Sequence, residues 1–456
     1  MWGKQFNSKR TQLVGACVAL CVATPFGSFA QDGLRATLDF TSRLETVSES
    51  GFTSPVREGE RIVNGLDLEV SSENAARLLE FSAGGDLTYN FNEDVEDQTE
   101  IEDPRALLRY SLDSVQSAVD IVARYRRTDV DNANFFDAAT GDIETGQGDR
   151  TNVSVNTDLI FGRESPTTFS LNHLYSRDTF SGETDGDTSD RTTNRVDTRL
   201  LFQVTPVAAV GLVGSYRDVD QDDADASDQT DQSIGIVTVY DLSNVLTLDA
   251  QLTYDEATST DPTVEDTEGL GFSIDLDREL NNGSVSFGLS SEETVNGARQ
   301  QAVIRRTMLL PRGTLNYSLG ATRTGDSSLD PLLGLGLSYE VSPLSNVRIN
   351  LTQESDIDDN DNETIRTRLD LDYTQVFNEI SSITASAGFA SQNAIDDVND
   401  VDRSSINAAL TYRREVGADW DMITGIEYTS SRRDDRSDRD RTTVFFGLEK
   451  TFDLRP

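Results

Sequence analysis

The chain has 456 residues, with 80 acidic against 39 basic side chains, one histidine and two cysteines. Such acidity excludes nucleic acid as a partner and suits cations or cationic solutes. A hydrophobic content of 36% is low for a large globular core. Two classes remain: an acidic disordered chain, or a β-barrel in which only alternate residues need be apolar.

The first 30 residues read as a cleaved secretory signal peptide. Lys4, Lys9 and Arg10 form a positive start, Leu13 to Thr24 an apolar run too short to span a bilayer, and Ser28-Phe29-Ala30 a small-x-small cleavage site. Val14-Gly15-Ala16-Cys17 loosely fits a lipidation motif, but the apolar run continues to Val22, which suits a longer signal. Cleavage removes Cys17 and Cys21, the only cysteines, so the mature chain relies on no disulfide. Residues 31–456 are expected to form one domain. They hold no run of 18 apolar residues, hence no transmembrane helix.

From Gly33 onward the apolar residues recur with a period of two. Leu34, Ala36, Leu38 and Phe40 open the pattern, and Leu79 to Phe91 repeats it on odd positions. Val153 to Phe161, Val196 to Val204, Ile234 to Leu242, Leu246 to Tyr254, Leu333 to Val341 and Ile365 to Tyr373 continue it. Gln300 to Leu310 is the weakest segment, with neither phase cleanly apolar. The last, Arg441 to Phe452, places Val444, Phe446, Leu448 and Phe452 on one face, interrupted by Lys450. Each segment has roughly 9–12 residues, the length a tilted strand needs to cross a bilayer. The expected fold is all-β: an antiparallel up-and-down transmembrane barrel of about 22 strands, within roughly 18–24. Gly33–Val47 and Arg441–Phe452 close it, and no plug domain precedes the first strand.

Connections alternate in length. Asp113–Gln116, Gly162–Ser165, Thr205-Pro206, Ser243-Asn244, Asn281–Gly283, Pro311–Gly313 and Phe377–Glu379 are short and rich in turn formers. Asn92–Asp103, Asp129–Gly148, Asp178–Asp190, Asp218–Asp231, Glu256–Asp266, Glu354–Asn362, Asn393–Asp402 and Ser430–Asp440 are long and acidic. Short periplasmic turns and long outer loops are the pattern of outer-membrane barrels. Arrays of β-sandwiches also alternate, yet give no reason for alternating connection lengths. The tyrosines add a third signal. Tyr89, Tyr125, Tyr175, Tyr216, Tyr254 and Tyr428 fall near the outer ends of strands, and Tyr110, Tyr240, Tyr339, Tyr373 and Tyr412 near the inner ends, all in the apolar phase; Tyr317 lies mid-strand. They are expected to form interfacial girdles.

Gly33–Glu45 and Asp103–Asp129 are worded like uncharacterised Gram-negative outer-membrane β-barrel proteins of the porin type, and the rest of the chain resembles them in style. The resemblance implies a barrel delivered to the barrel assembly machinery through its C-terminal strand, among outer-membrane lipid and lipopolysaccharide. It brings no catalytic residues. Such barrels typically end on an aromatic residue, whereas here Phe452 is followed by Asp453-Leu454-Arg455-Pro456.

The polar phase carries Arg109, Arg124, Arg195, Asp197, Arg199, Arg366, Arg368, Asp370 and Asp372 as lumen-lining candidates. They suit a water-filled pore with a transverse field, or a lattice of ion pairs. No resident cofactor is expected. Weak Ca²⁺ or Mg²⁺ binding by the outer loops is, although Asp218-x-Asp220-x-Asp222 departs from an EF-hand at Asp223 and Gln229. An enzyme is not expected: the sole histidine, His173, lies in the apolar phase with Phe169, Leu171 and Tyr175. The function expected is a channel for small hydrophilic solutes with cation preference; the alternative is a structural or surface-interaction barrel acting through its acidic loops.

Overall fold

The computed structural model describes residues 33–51, 59–91, 99–129, 148–181, 190–222, 227–260, 264–325, 327–357, 363–394, 402–417, 419–433 and 438–454. The segment 1–30, expected to be a signal peptide, and the centres of most long connections lie outside these. The strands are β1 (Leu34–Ser50), β2 (Gly59–Asn74), β3 (Arg77–Asn90), β4 (Thr99–Asp113), β5 (Ser117–Asp129), β6 (Asp149–Phe161), β7 (Thr167–Ser181), β8 (Arg191–Thr205), β9 (Ala208–Gln221), β10 (Gln229–Ser243) and β11 (Leu246–Ser259). They continue as β12 (Thr267–Leu280), β13 (Gly283–Thr294), β14 (Gly297–Leu310), β15 (Gly313–Thr324), β16 (Asp330–Ser342), β17 (Ser345–Ile357), β18 (Glu363–Asn378), β19 (Ser381–Ala394), β20 (Arg403–Gly417), β21 (Trp420–Arg433) and β22 (Arg439–Asp453).

Each strand pairs antiparallel with the next, and β22 returns to β1 in one register from Thr37↔Asp453 to Ser50↔Asp440. The result is a closed 22-stranded up-and-down barrel. Closure satisfies the backbone hydrogen bonds of the first and last strands, which in an apolar medium would otherwise be unpaired.

Most strands are longer than the alternation predicts, running from 12 residues in β13 to 17 in β1. The added length lies mostly at the loop end. Asp218 and Asp220, expected in an outer loop, stand on β9 instead. The length alternation also fails once: β13 turns into β14 through Val295-Asn296 alone. Gln300–Leu310 forms a strand despite its indistinct phase, because β13 and β15 pair it on both edges. Two short turns, Ala75-Ala76 and Pro343-Leu344, lack the glycine or asparagine that marked others.

Burial is inverted relative to a globular protein. Leu66, Ile234, Leu270, Ile304, Leu319 and Phe446 are exposed at 45% or more, all on one phase of their strands. Fully buried side chains include Arg150, Glu45, Thr88 and Thr364. The apolar phase therefore faces outward and the polar phase inward. One bulge shifts this phase. Between Gly84 and Asp86 the β3–β4 register slips, opposite Pro104, with Asp103 at φ 46°. Ile101 then faces outward before the bulge and Leu108 after it.

Replacing Phe446 by Arg puts a charge on the lipid face midway along the closing strand. It is expected to destabilise the folded barrel by about 2–4 kcal/mol in urea titrations in lipid vesicles. Thr451→Ser, on the inward phase of β22, serves as a control and should leave the midpoint nearly unchanged.

Candidate functional site

The inward phase brings charges of both signs to one wall, and strand spacing decides which of them meet. Arg109 pairs with Asp120 across β4–β5 at 3.0 Å. Arg195 pairs with Asp197 at 2.8 Å and Arg368 with Asp370 at 2.6 Å, each along its own strand. Arg199 on β8 reaches Asp249 on β11 at 2.5 Å. Arg105 forks onto Asp67, two strands away, at 2.8 and 2.5 Å. That fork lies over Gly84, where an added Cβ would overlap the Asp67 carboxylate. Arg366 is buried, with 5% of its surface exposed. Arg124 is exposed, and neither it nor Asp372 has an ion pair among the described residues. The candidates thus fall along the whole height of the lumen and do not form one site.

The site lies at the loop end of the lumen. A cavity of about 460 Å³ is bounded by β8 to β14 on one side and by Arg366 of β18 on the other. Arg191, Arg195, Arg217, Arg299 and Arg366 line it, matched by Asp197, Asp231, Asp255, Glu256, Glu292 and Glu293. Arg217 pairs with Asp231 at 3.1 Å. Asp255 rests against Gly271, which leaves room where a Cβ would collide with its carboxylate.

One interaction explains how β18 comes to border this cavity. Arg299 on β14 forks onto Glu363 on β18, Nε to Oε1 and Nη2 to Oε2, both at 2.9 Å, and also reaches Glu292 at 3.2 Å. β14 and β18 stand four strands apart, roughly 19 Å along a flat wall. A barrel of 22 strands drawn as a circle is roughly 40 Å across. Arginine and glutamate cannot bridge that spacing unless the wall bends. Glu363, Thr364, Ile365 and Arg366 are consecutive and all buried, so both faces of the strand are covered here. The loop end of β18 is tucked inward, and the lumen narrows at that level.

The sequence does not single out Arg191, Arg217, Arg299 or Glu363. The first two border segments taken as loops, and Arg299 and Glu363 lie at strand starts where no apolar alternation flags a phase. The one signal present was continuation of the inward phase past the apolar belt, as in Arg217-x-Val219-x-Gln221.

All 12 tyrosines lie in strands, on the outward phase. Tyr254 donates to Glu268 at 2.6 Å and Tyr428 to Asp440 at 2.8 Å, each toward a carboxylate at the loop-end rim. Tyr89 packs edge-on against Phe91 at 4.8 Å, and Tyr373 donates to Gln375 at 2.9 Å. Tyr125, Tyr216 and Tyr240 are 38–42% exposed; Tyr175, Tyr339 and Tyr412 share their phase. His173 Nε2 meets Asn194 Oδ1 at 2.9 Å on the same outer face. Among the described residues no cluster of three or more His, Cys, Asp or Glu side chains is placed to hold a metal ion. Most of the acidic connections named for divalent binding lie outside the described residues.

No protein-family model matches the sequence, and no curated protein matches it. Solved structures do. The ferric-catecholate import receptor Fiu of E. coli is similar with a TM-score of 0.51 at 11% identity, over 93% of this chain and 82% of that one. A mutant of the ferric enterobactin receptor of Pseudomonas aeruginosa is similar with a TM-score of 0.50 at 9% identity, over 93% and 81%. At such identity the likeness is one of fold. With the outward apolar belt, the closed 22-stranded barrel makes the chain an integral protein of the bacterial outer membrane.

Removing Arg299 leaves the buried Glu363 carboxylate without its ion pair, whereas removing Glu363 leaves Arg299 its contact with Glu292. Arg299→Ala is therefore expected to cost about 3 kcal/mol or more in chemical denaturation, and Glu363→Ala less. The double variant should lose less than the two together, by double-mutant cycle.

Proposed function

We propose that this barrel passes small hydrophilic solutes across the outer membrane, through a narrowed and charge-lined lumen. The short turns face the periplasm, and the long connections face outside. The observation that carries this reading is the charged cavity of about 460 Å³ between β8–β14 and Arg366, on the inward side of the wall. Inward residues such as Arg195, 55% exposed, and Arg413, 48% exposed, are consistent with water inside the lumen. Solutes entering meet paired charges of both signs, which favours polar over apolar cargo. Cation preference follows from the net charge of −41 and the acidic connections on the entry side, since clefts of one sign concentrate counter-ions.

A second reading is a receptor that binds a solute before moving it. It is favoured by the same cavity, whose five arginines would hold an anionic iron chelate of the kind named for the comparison structures. The matching carboxylates weigh against it.

Planar bilayers separate the readings. The channel reading expects discrete conductance steps and a reversal potential favouring K⁺ over Cl⁻. It also expects a severalfold larger unitary conductance when both Arg299 and Glu363 are replaced by Ala, because the tucked end of β18 loses its tie. An absence of steps, with saturable binding of a ferric catecholate, would favour the receptor.

A further inference from the structure

The charged side chains on the lipid-facing phase are distributed differently at the two rims. At the loop end Asp149, Asp218, Glu268 and Asp440 stand among Arg127, Arg177, Arg323 and Arg432. At the short-turn end stand Arg77, Arg278, Arg306, Arg414 and Lys450. Among the described strand residues no carboxylate shares the lipid-facing phase at that end. A strongly acidic chain thus keeps one ring of its outer surface cationic. Lys450, the only lysine outside residues 1–30, stands over the rings of Trp420 at 5.5 Å and Phe452 at 5.3 Å.

A groove opens on the same ring between β11 and β14. Its cavity of about 510 Å³ is lined by Leu246, Leu276, Val285, Phe287 and Ile304, all on the lipid-facing phase, with Arg278 toward its short-turn end. The Arg278 side chain is exposed and makes no hydrogen bond or ion pair among the described residues. Its neighbour Arg306 is held by the Ser284 carbonyl at 2.8 Å and Asn282 Oδ1 at 2.7 Å, which adds a fixed positive charge beside it.

We propose that this groove holds one phospholipid of the periplasmic leaflet, its acyl chain along Leu276, Phe287 and Ile304 and its phosphate on Arg278. The assignment of leaflet rests on the orientation proposed above. An apolar trough ending in a guanidinium unpaired among the described residues, beside a second positive charge, has the shape and charge of a lipid tail joined to a phosphate.

Native mass spectrometry of the full-length protein, after incubation with phosphatidylglycerol in detergent, tests this. One lipid per barrel is expected. Arg278→Gln should lower its retention about tenfold, the loss of one charge-assisted contact. Arg278→Lys should keep most of it, and Ile304→Trp should expel the tail while leaving Arg278 in place. Equal retention by wild type, Arg278→Gln and Ile304→Trp overturns the proposal. So does equal retention of a neutral diacylglycerol, or inorganic phosphate binding as tightly as the lipid. Orientation is read separately, by thiol labelling of Ala76→Cys and Gly148→Cys in intact cells. A wrong orientation and an empty groove therefore give different signals.

Discussion

Everything in this fold depends on the need to pair every backbone amide and carbonyl inside an apolar medium that offers no hydrogen bonds. A sheet with free edges fails that test, whatever its side chains do. The seam between β1 and β22 meets it across nearly the full length of both strands. Closure then fixes the alternation. Once the sheet is a cylinder, each residue has a lipid side or a luminal side, and the choice of side chain at each position follows.

The inward side is where the composition of the chain makes sense. Charges are affordable inside because they are matched, most often by arginine, whose planar fork meets a carboxylate at two points. Arg105 on Asp67 and Arg299 on Glu363 both take this form. Glycines at Gly84 and Gly271 give the carboxylates room to lie against the wall. Far from filling a 22-stranded lumen evenly, these contacts draw one part of the wall inward at the loop end. A polar cavity remains there. The charged cavity is thus a consequence of how the wall bends, and the outer surface responds to a separate demand. Among the described strand residues, its short-turn rim carries only cationic charges on the lipid-facing phase.

Much of the architecture was legible in the residues. The period of two, the even strand count and the return of the last strand to the first are local or near-local patterns, set by which side chains tolerate lipid. Strand ends were less legible, because beyond the apolar belt both faces are polar and the alternation loses its contrast. Asp218 and Asp220 read as loop residues for that reason, yet belong to β9. The segment Gln300–Leu310 was indistinct for a related reason: its strand state comes from its two neighbours and not from its own phase.

The sequence by itself determined that this protein is a closed membrane barrel with charged residues inside, because hydrophobic alternation is imposed residue by residue. Only the tertiary structure decided which charges meet. Arg299 and Glu363 are 64 positions apart and four strands apart. No local pattern encodes a bend of the wall. The bend arises from the packing of the whole circumference, and with it the cavity that β8 to β14 share with Arg366.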